Sequence, residues 1–393
     1  MKKISSRILC CILTIILTFS IFSINAYAAQ VIVADTPTRY AQIPTYDGKG
    51  SCSGIAIREN AEELFVAKAS SEEDDAILYY FPNIQNKNNY YIYIISNAGH
   101  ANAMTIDTNY IYITAWKKDK TDLNQYNDQK NDVIRLSLSY IYNHMTATIN
   151  TNINNVPNMN SSNTGCTRFS AVKLDSSNNV VNYNAVINSI SRYQNDGEFI
   201  INYTALNETV NSVEYRGFTK ASIENIGGTQ KFVVSTSNND AFTLKKNWNS
   251  EDPTYQDLEY SEDNGFFLPI WYGKDSTANT NKNTNKNVLA WADIDHPTSS
   301  NSQNVTISGV SYKCFIPDKI NVNVSSVKKS GTNIYIYKKF EMESLAFDAT
   351  GQMYAAVNVG YTSDYLNTNP NYFYREDGVY KINHNNGQNF ILD

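Results

Sequence analysis

The sequence predicts an all-β protein, a single closed β-propeller, and three observations lead there. Aromatic and aliphatic residues alternate at period two, as in Tyr110-Ile111-Tyr112-Ile113-Thr114-Ala115-Trp116, Tyr91-Ile92-Tyr93-Ile94 and Ile334-Tyr335-Ile336-Tyr337. A strand–turn–strand unit with a third strand behind it recurs six times, and such repeats imply stacked copies. Finally, 29 Tyr and 16 Phe against 17 Gly suit pleated, half-buried strands. The many Asn residues suit the turns between them, because their side chains bond nearby backbone and tolerate left-handed geometry.

The chain opens with Lys2, Lys3 and Arg7, then an apolar run from Ile8 to Phe22, then the small residues of Ala26-Tyr27-Ala28. That order is a secretory signal over residues 1–28, leaving a mature domain at 29–393. The run is short for a membrane span, and no later segment approaches the roughly 20 apolar residues a span needs. Cys10 and Cys11 lie inside the run and mark no lipidation site. A secreted, extracellular protein with no membrane span is expected. Loss of the three signal-peptide charges leaves 29 basic against 38 acidic residues, a formal net charge of −9. An acidic surface of this kind argues against nucleic acid as a partner.

The first unit is Ser53–Ile57, Leu64–Ala67 and Ala76–Tyr80, and the second is Ala103–Asp107, Tyr110–Trp116 and Val133–Leu138. The third is weaker: Ser189–Ser191, Glu198–Ile201 and Val213–Tyr215. The fourth is Ala221–Glu224, Lys231–Ser235 and Ala241–Leu244. The fifth is Asp257–Tyr260, Phe266–Trp271 and Val288–Trp291, and the sixth is Ser344–Asp348, Met353–Val357 and Gly378–Ile382. A single antiparallel meander leaves both faces bare, and radial stacking covers the faces while limiting exposed edges. Six copies favour six blades, or five without the weak third. A leftover segment, Val31–Ala34 or Tyr40–Tyr46, can pair with the last blade near Val379-Tyr380-Lys381 and close the ring. A β-sandwich is the alternative, and it does not explain why every unit opens the same way.

Residues 150–165, 276–287 and 297–304 are rich in Asn, Ser and Thr and read as loops. Residues 122–142 come nearest to a helix, although Val133–Leu138 reads equally well as a strand. Three cysteines remain in the mature chain, Cys52, Cys166 and Cys314. Their spacing suits no zinc site. One disulfide with a free thiol and three buried thiols both fit.

In such a ring the innermost strands line a central channel, and polar residues recur where those strands begin: Ser51-Cys52-Ser53, Gly99–Asn102, Tyr255-Gln256-Asp257 and Glu341–Ser344. Asn102, Gln256, Asp257 and Glu343 are the candidate ligand-binding residues, with Trp116 and Trp271 as aromatic neighbours able to stack on sugar rings. The plainer reading gives the polar groups hydrogen bonds to channel water and backbone, and packs the tryptophans between blades. His100 is the candidate catalytic residue, since histidine titrates near neutral pH, unless it merely locks two blades. No G-x-S-x-G, H-E-x-x-H or P-loop motif is present.

The stretches Gly99–Thr105, Gln256–Tyr260 and Glu343–Asp348 resemble the inner-strand starts of bacterial extracellular propellers, with gluconolactonase-like and NHL-repeat proteins the nearest named families. Leu258-Glu259-Tyr260 is also a little similar to five-bladed glutaminyl cyclases. The resemblance covers about residues 50–383. It implies a propeller and, by position, a channel metal held by Asn102, Asp257 and Glu343. Such hard oxygen ligands suit calcium; no cofactor is otherwise required. The flanking signatures of gluconolactonase-like proteins are missing. The expectation is an extracellular binding or interaction propeller for a glycan, small molecule or protein. The alternative is a divalent-metal-dependent lactonase or esterase using the same channel.

Overall fold

The structure is a computed structural model that describes residues 32–34, 38–43, 51–58, 61–69, 75–115, 132–145, 156–160, 162, 165–246, 257–270, 287–322, 327–330, 333–362, 374–375 and 377–383. The chain divides into two units, Met1–Ile32 and Val33–Asp393, and the fold is that of the second. It is all-β and propeller-like, with four small sheets and one large curled sheet arranged in a ring.

The first sheet holds Cys52–Arg58, Glu63–Ala69, Ala76–Phe81 and Tyr91–Ile95, in antiparallel order from the channel outward. The second holds Met104–Ile106, Tyr110–Ala115, Asp132–Ser137 and Cys166–Ser170. The fourth contains Glu259–Ser261, Gly265–Ile270, Asn287–Ala292 and Asp318–Val322. The last contains Asn333–Phe347, Met353–Thr362 and Gly378–Ile382. Four of the six expected units thus have a sheet each. The six-residue helix Leu138–Asn143 follows directly on Asp132–Ser137, with the Ser137 hydroxyl accepting from the Tyr140 amide at 3.3 Å, so both readings of that stretch are realised in series.

The third and fourth units share one sheet of ten strands. Val213–Ile226 is a single strand of 14 residues, so the end of one unit and the start of the next have no turn between them. This shared strand pairs with Glu198–Asn202 along one edge, and with Thr229–Val234 and Ala241–Lys245 along the other. Six units therefore map onto five sheets among the described residues. The sheet also takes in a hairpin, Ser302–Ile307 and Val310–Phe315, attached in parallel to Phe242–Leu244. Its first strand begins inside the stretch expected to be a loop.

The innermost strands, Cys52–Arg58, Met104–Ile106, Ile190–Arg192, Glu259–Ser261 and the second half of Asn333–Phe347, neighbour one another in a closed cycle. Gly54 permits one of these approaches, because a Cβ there would lie 2.9 Å from the Met104 Cβ. The aromatic wealth of the sequence is spent between sheets. Tyr112 meets Phe199 at 4.6 Å, Phe218 meets Phe266 at 4.9 Å, and Phe267 meets Phe347 at 5.2 Å between ring centroids. Each pair joins one sheet to the next.

The N-terminal strand Thr38–Gln42 pairs antiparallel with Gly378–Ile382, matching Thr38 to Lys381 and Gln42 to Gly378. It completes the last sheet, as the sequence predicts. Cys52, Cys166 and Cys314 are all buried and reduced.

Candidate functional site

The starts of the inner strands converge, and they do so around buried carboxyl groups. Asp257 has no exposed surface. Its Oδ1 accepts from the Leu258 amide at 2.7 Å and the Ile190 amide at 3.5 Å, and its Oδ2 accepts from the Ser344 hydroxyl. The Met104 amide also bonds to this carboxyl. Ser344 in turn accepts from the Ile55 amide at 3.1 Å. One side chain and its serine thereby reach all five inner strands. Burial pushes the Asp257 carboxyl well above the usual carboxylate range, while the four donors pull it back.

Glu343, 3% exposed, accepts from the Asn358 side-chain amide, which also brackets Cys52. Asn102 is buried two residues ahead of Met104, and His100 sits half-buried on the preceding turn, where Gly99 and Ala101 both have positive φ. Asp257 thus bonds, through Ser344, to the strand that carries Glu343, and Asn102 lies in the loop just before Met104–Ile106. Both carboxyls are engaged by protein donors. Gln256, Trp116 and Trp271 lie outside the described residues. Among the described residues no group of three His, Cys, Asp or Glu side chains is placed to hold a metal ion.

A second buried pair stands beside this cluster. Lys68 and Asp377 are each 2% exposed and lie 3.6 Å apart. The Lys68 ammonium also donates to the Ile43 carbonyl at 3.2 Å, and Asp377 accepts from the Val359 amide at 3.0 Å. The pair ties the first sheet to the closing strand and the last sheet.

Sequence reasoning misses Asn202, Asn358 and Thr114, which repeat one device. Each lies on the strand next to an inner strand and accepts from the backbone at or just before the start of an inner strand. Thr114 takes the Ala103 amide at 3.1 Å, and Asn202 takes the Asn188 and Ser189 amides at 2.9 and 3.1 Å. Asn358 takes the Cys52 amide at 2.8 Å. A polar residue closing an apolar second strand, as in Glu198-Phe199-Ile200-Ile201-Asn202, is the signal that could have found them.

The open volume lies at the other end of the inner strands. A cavity of about 300 Å³ is lined by residues 55–58, 104–108, 191, 192, 194, 259–263 and 347, so all five inner strands contribute. Charge alternates around its mouth: Arg58, then Asp107, then Arg192, then Glu259 with Glu262 and Asp263, and finally apolar Phe347. Arg58 is held by Glu63 at 3.2 Å, the Tyr142 hydroxyl at 2.9 Å and the Thr108 carbonyl at 3.1 Å. Ser191 donates to Glu259 at 3.1 Å. These bonds fix the orientation of the charged groups before any ligand arrives.

No family model matches the chain, and no curated protein does. Among solved structures it is similar to a thermostable family-43 glycoside hydrolase, at 8% identity over 88% of this chain and 92% of that one, with a TM-score of 0.38. It is also similar to the Dos1 propeller, at 10% identity over 83% and 71% with a TM-score of 0.28. A chain of a nidogen/laminin complex gives 9% identity over 78% and 75%, with a TM-score of 0.26. Likenesses this loose carry no argument about activity or fold.

Proposed function

We propose that the chain is an exported, extracellular binding propeller that takes a small polar ligand, or the end of a larger one, in the channel mouth where the inner strands finish. The observation that carries this reading is the cavity itself. It is concave, of the order of a small-ligand site, and ringed by charged groups already locked in place. The buried cluster at the opposite end gives that mouth its rigid frame, since Asp257, Ser344 and Asn358 spend their hydrogen bonds on the strands that line it. No nucleophile paired with a general base is needed for such a role.

The test is a thermal-shift screen with monosaccharides, disaccharides and free amino acids, repeated with calcium and with EDTA. At least one solute should raise Tm, with or without calcium, and the double variant Arg192→Gln/Glu262→Gln should lose that rise. Turnover of δ-gluconolactone or p-nitrophenyl acetate that EDTA abolishes would replace this reading with the metal-dependent hydrolase.

A further inference from the structure

Beyond the channel mouth, the ten-stranded sheet carries two more cavities, of about 670 and 380 Å³. Neighbouring cavities share walls. Gln194 borders both the channel mouth and the larger cleft, and Tyr193, Lys220 and Asp240 border both the larger cleft and the smaller. Each is large enough for a small-ligand site, in the range of roughly 300–1,000 Å³. Three such spaces in a row suit an oligomer better than any single compact molecule.

The junctions between them are built. Gln194 has φ 52°, a left-handed conformation that few residues other than Gly, Asn and Asp adopt. The turn that imposes it is closed by the Tyr193 amide on the Glu198 carbonyl at 2.8 Å and by the Asn195 side chain on Glu198 at 2.8 Å. A strained residue held by its surroundings between two cavities is a reason to ask for a function there. At the next junction the Lys220 ammonium lies 4.4 Å over the Tyr193 ring, and Tyr260 packs against the same ring at 4.9 Å. Asp295 anchors both tyrosines through their hydroxyls, at 3.5 and 2.8 Å.

The lining chemistry selects the oligomer. Carboxylates and amides line the clefts and are oriented by short bonds: Asp240 by Ser235 at 2.7 Å, Glu224 by Ser222 at 2.7 Å, and Glu198 by Asn195. The remaining wall mixes side-chain hydroxyls and amides, from Asn178 to Asn304, with apolar faces such as Leu174, Phe199 and Phe315. Fixed planar acceptors and donors of this kind match vicinal hydroxyl groups. Several carboxylates with few cations disfavour an anionic sugar. A peptide, by contrast, would seek apolar side-chain pockets or an open strand edge. We propose that a neutral, linear oligosaccharide runs from the channel mouth across the Tyr193–Gly197 turn into the clefts of the ten-stranded sheet. The proposal rests on the binding reading for one end of its track.

Isothermal titration with cello-, xylo- and malto-oligosaccharides of two to six units tests it. At least one series should bind, with affinity rising tenfold or more from dimer to hexamer. Lys220→Met/Asp240→Asn should lower hexamer affinity at least fivefold while leaving dimer affinity and Tm unchanged. The idea fails if no series binds, if affinity is flat with length, or if a polygalacturonate hexamer or an unstructured decapeptide binds more tightly than every neutral sugar. A small solute that stabilises the protein through Arg192 and Glu262 while no hexamer outperforms its dimer would keep the binding reading and remove the track alone.

Discussion

The side-chain amide of Asn358 grips the backbone of Cys52 on both sides, accepting from its N–H at 2.8 Å and donating to its carbonyl at 3.1 Å, across 306 residues of chain. Its second amide hydrogen goes to Glu343. All three polar atoms it satisfies belong to buried residues, so none has water as a substitute. Asn358→Leu removes these three bonds, at up to about 1–3 kcal/mol each before relaxation. A loss of at least about 3 kcal/mol is expected in urea unfolding. A loss under about 1 kcal/mol would mean that this bracket adds little to the other links between the first and last sheets.

The Lys68–Asp377 pair gives a complementary result. Removing one partner of a buried ion pair strands the other, typically at about 3–5 kcal/mol. Lys68→Met alone should therefore destabilise by that amount, and adding Asp377→Asn should recover much of it. A double-mutant cycle without coupling would show that the two charges act independently.

Asp257 makes stability depend on pH in an unusual direction. Its carboxyl is pushed up in the native state, first by burial, so the folded protein holds this proton more tightly than the unfolded chain. The stabilisation from the neutral form is complete below the unfolded value of about 3.9, and is lost as pH rises through the raised native value. Asp257→Asn keeps the Oδ1 acceptor and mimics the neutral form. Between pH 7 and pH 4 the Tm of wild type should gain on that of the variant. Parallel Tm profiles would show that the carboxyl is ionised throughout.

Gly378 opens the final strand where the closing strand meets it, and a Cβ there would collide with the Ala41 carbonyl. Gly378→Ala should cost about 1–3 kcal/mol through that overlap. It should also expose the chain near residue 40 to limited proteolysis before the rest of the ring. Unchanged cleavage would mean that the closing strand absorbs the methyl group by shifting.

Much of the ring was legible because strands buried on both faces of a stacked sheet read as short apolar runs between turns, as in Leu64–Ala67, or alternate aromatic with aliphatic residues, as in Tyr110–Ile113. The continuity of Val213–Ile226 was hidden, since residues 216–220 fall between the third unit and the fourth, and only its partners on both edges reveal one strand. That Asp257 meets the strand carrying Glu343 is what a ring topology leads one to expect. That Asp257 serves as the hub of five strands did not, because its partners are backbone amides that no side-chain pattern encodes. The mouth at the far end was missed for a similar reason. Arg58, Arg192 and Glu262 are ordinary surface residues in sequence, and only the radial arrangement sets them in one circle.

Pairing Thr38–Gln42 with Gly378–Ile382 also sets the order of assembly. A strand made early must wait for one made nearly last, so no nascent chain that stops short of residue 378 can shut the ring. A contact of such long separation forms slowly. Until it forms, the last sheet offers the unpaired edge of Gly378–Ile382 to other chains. Closure is thus a late event however early the first sheets fold.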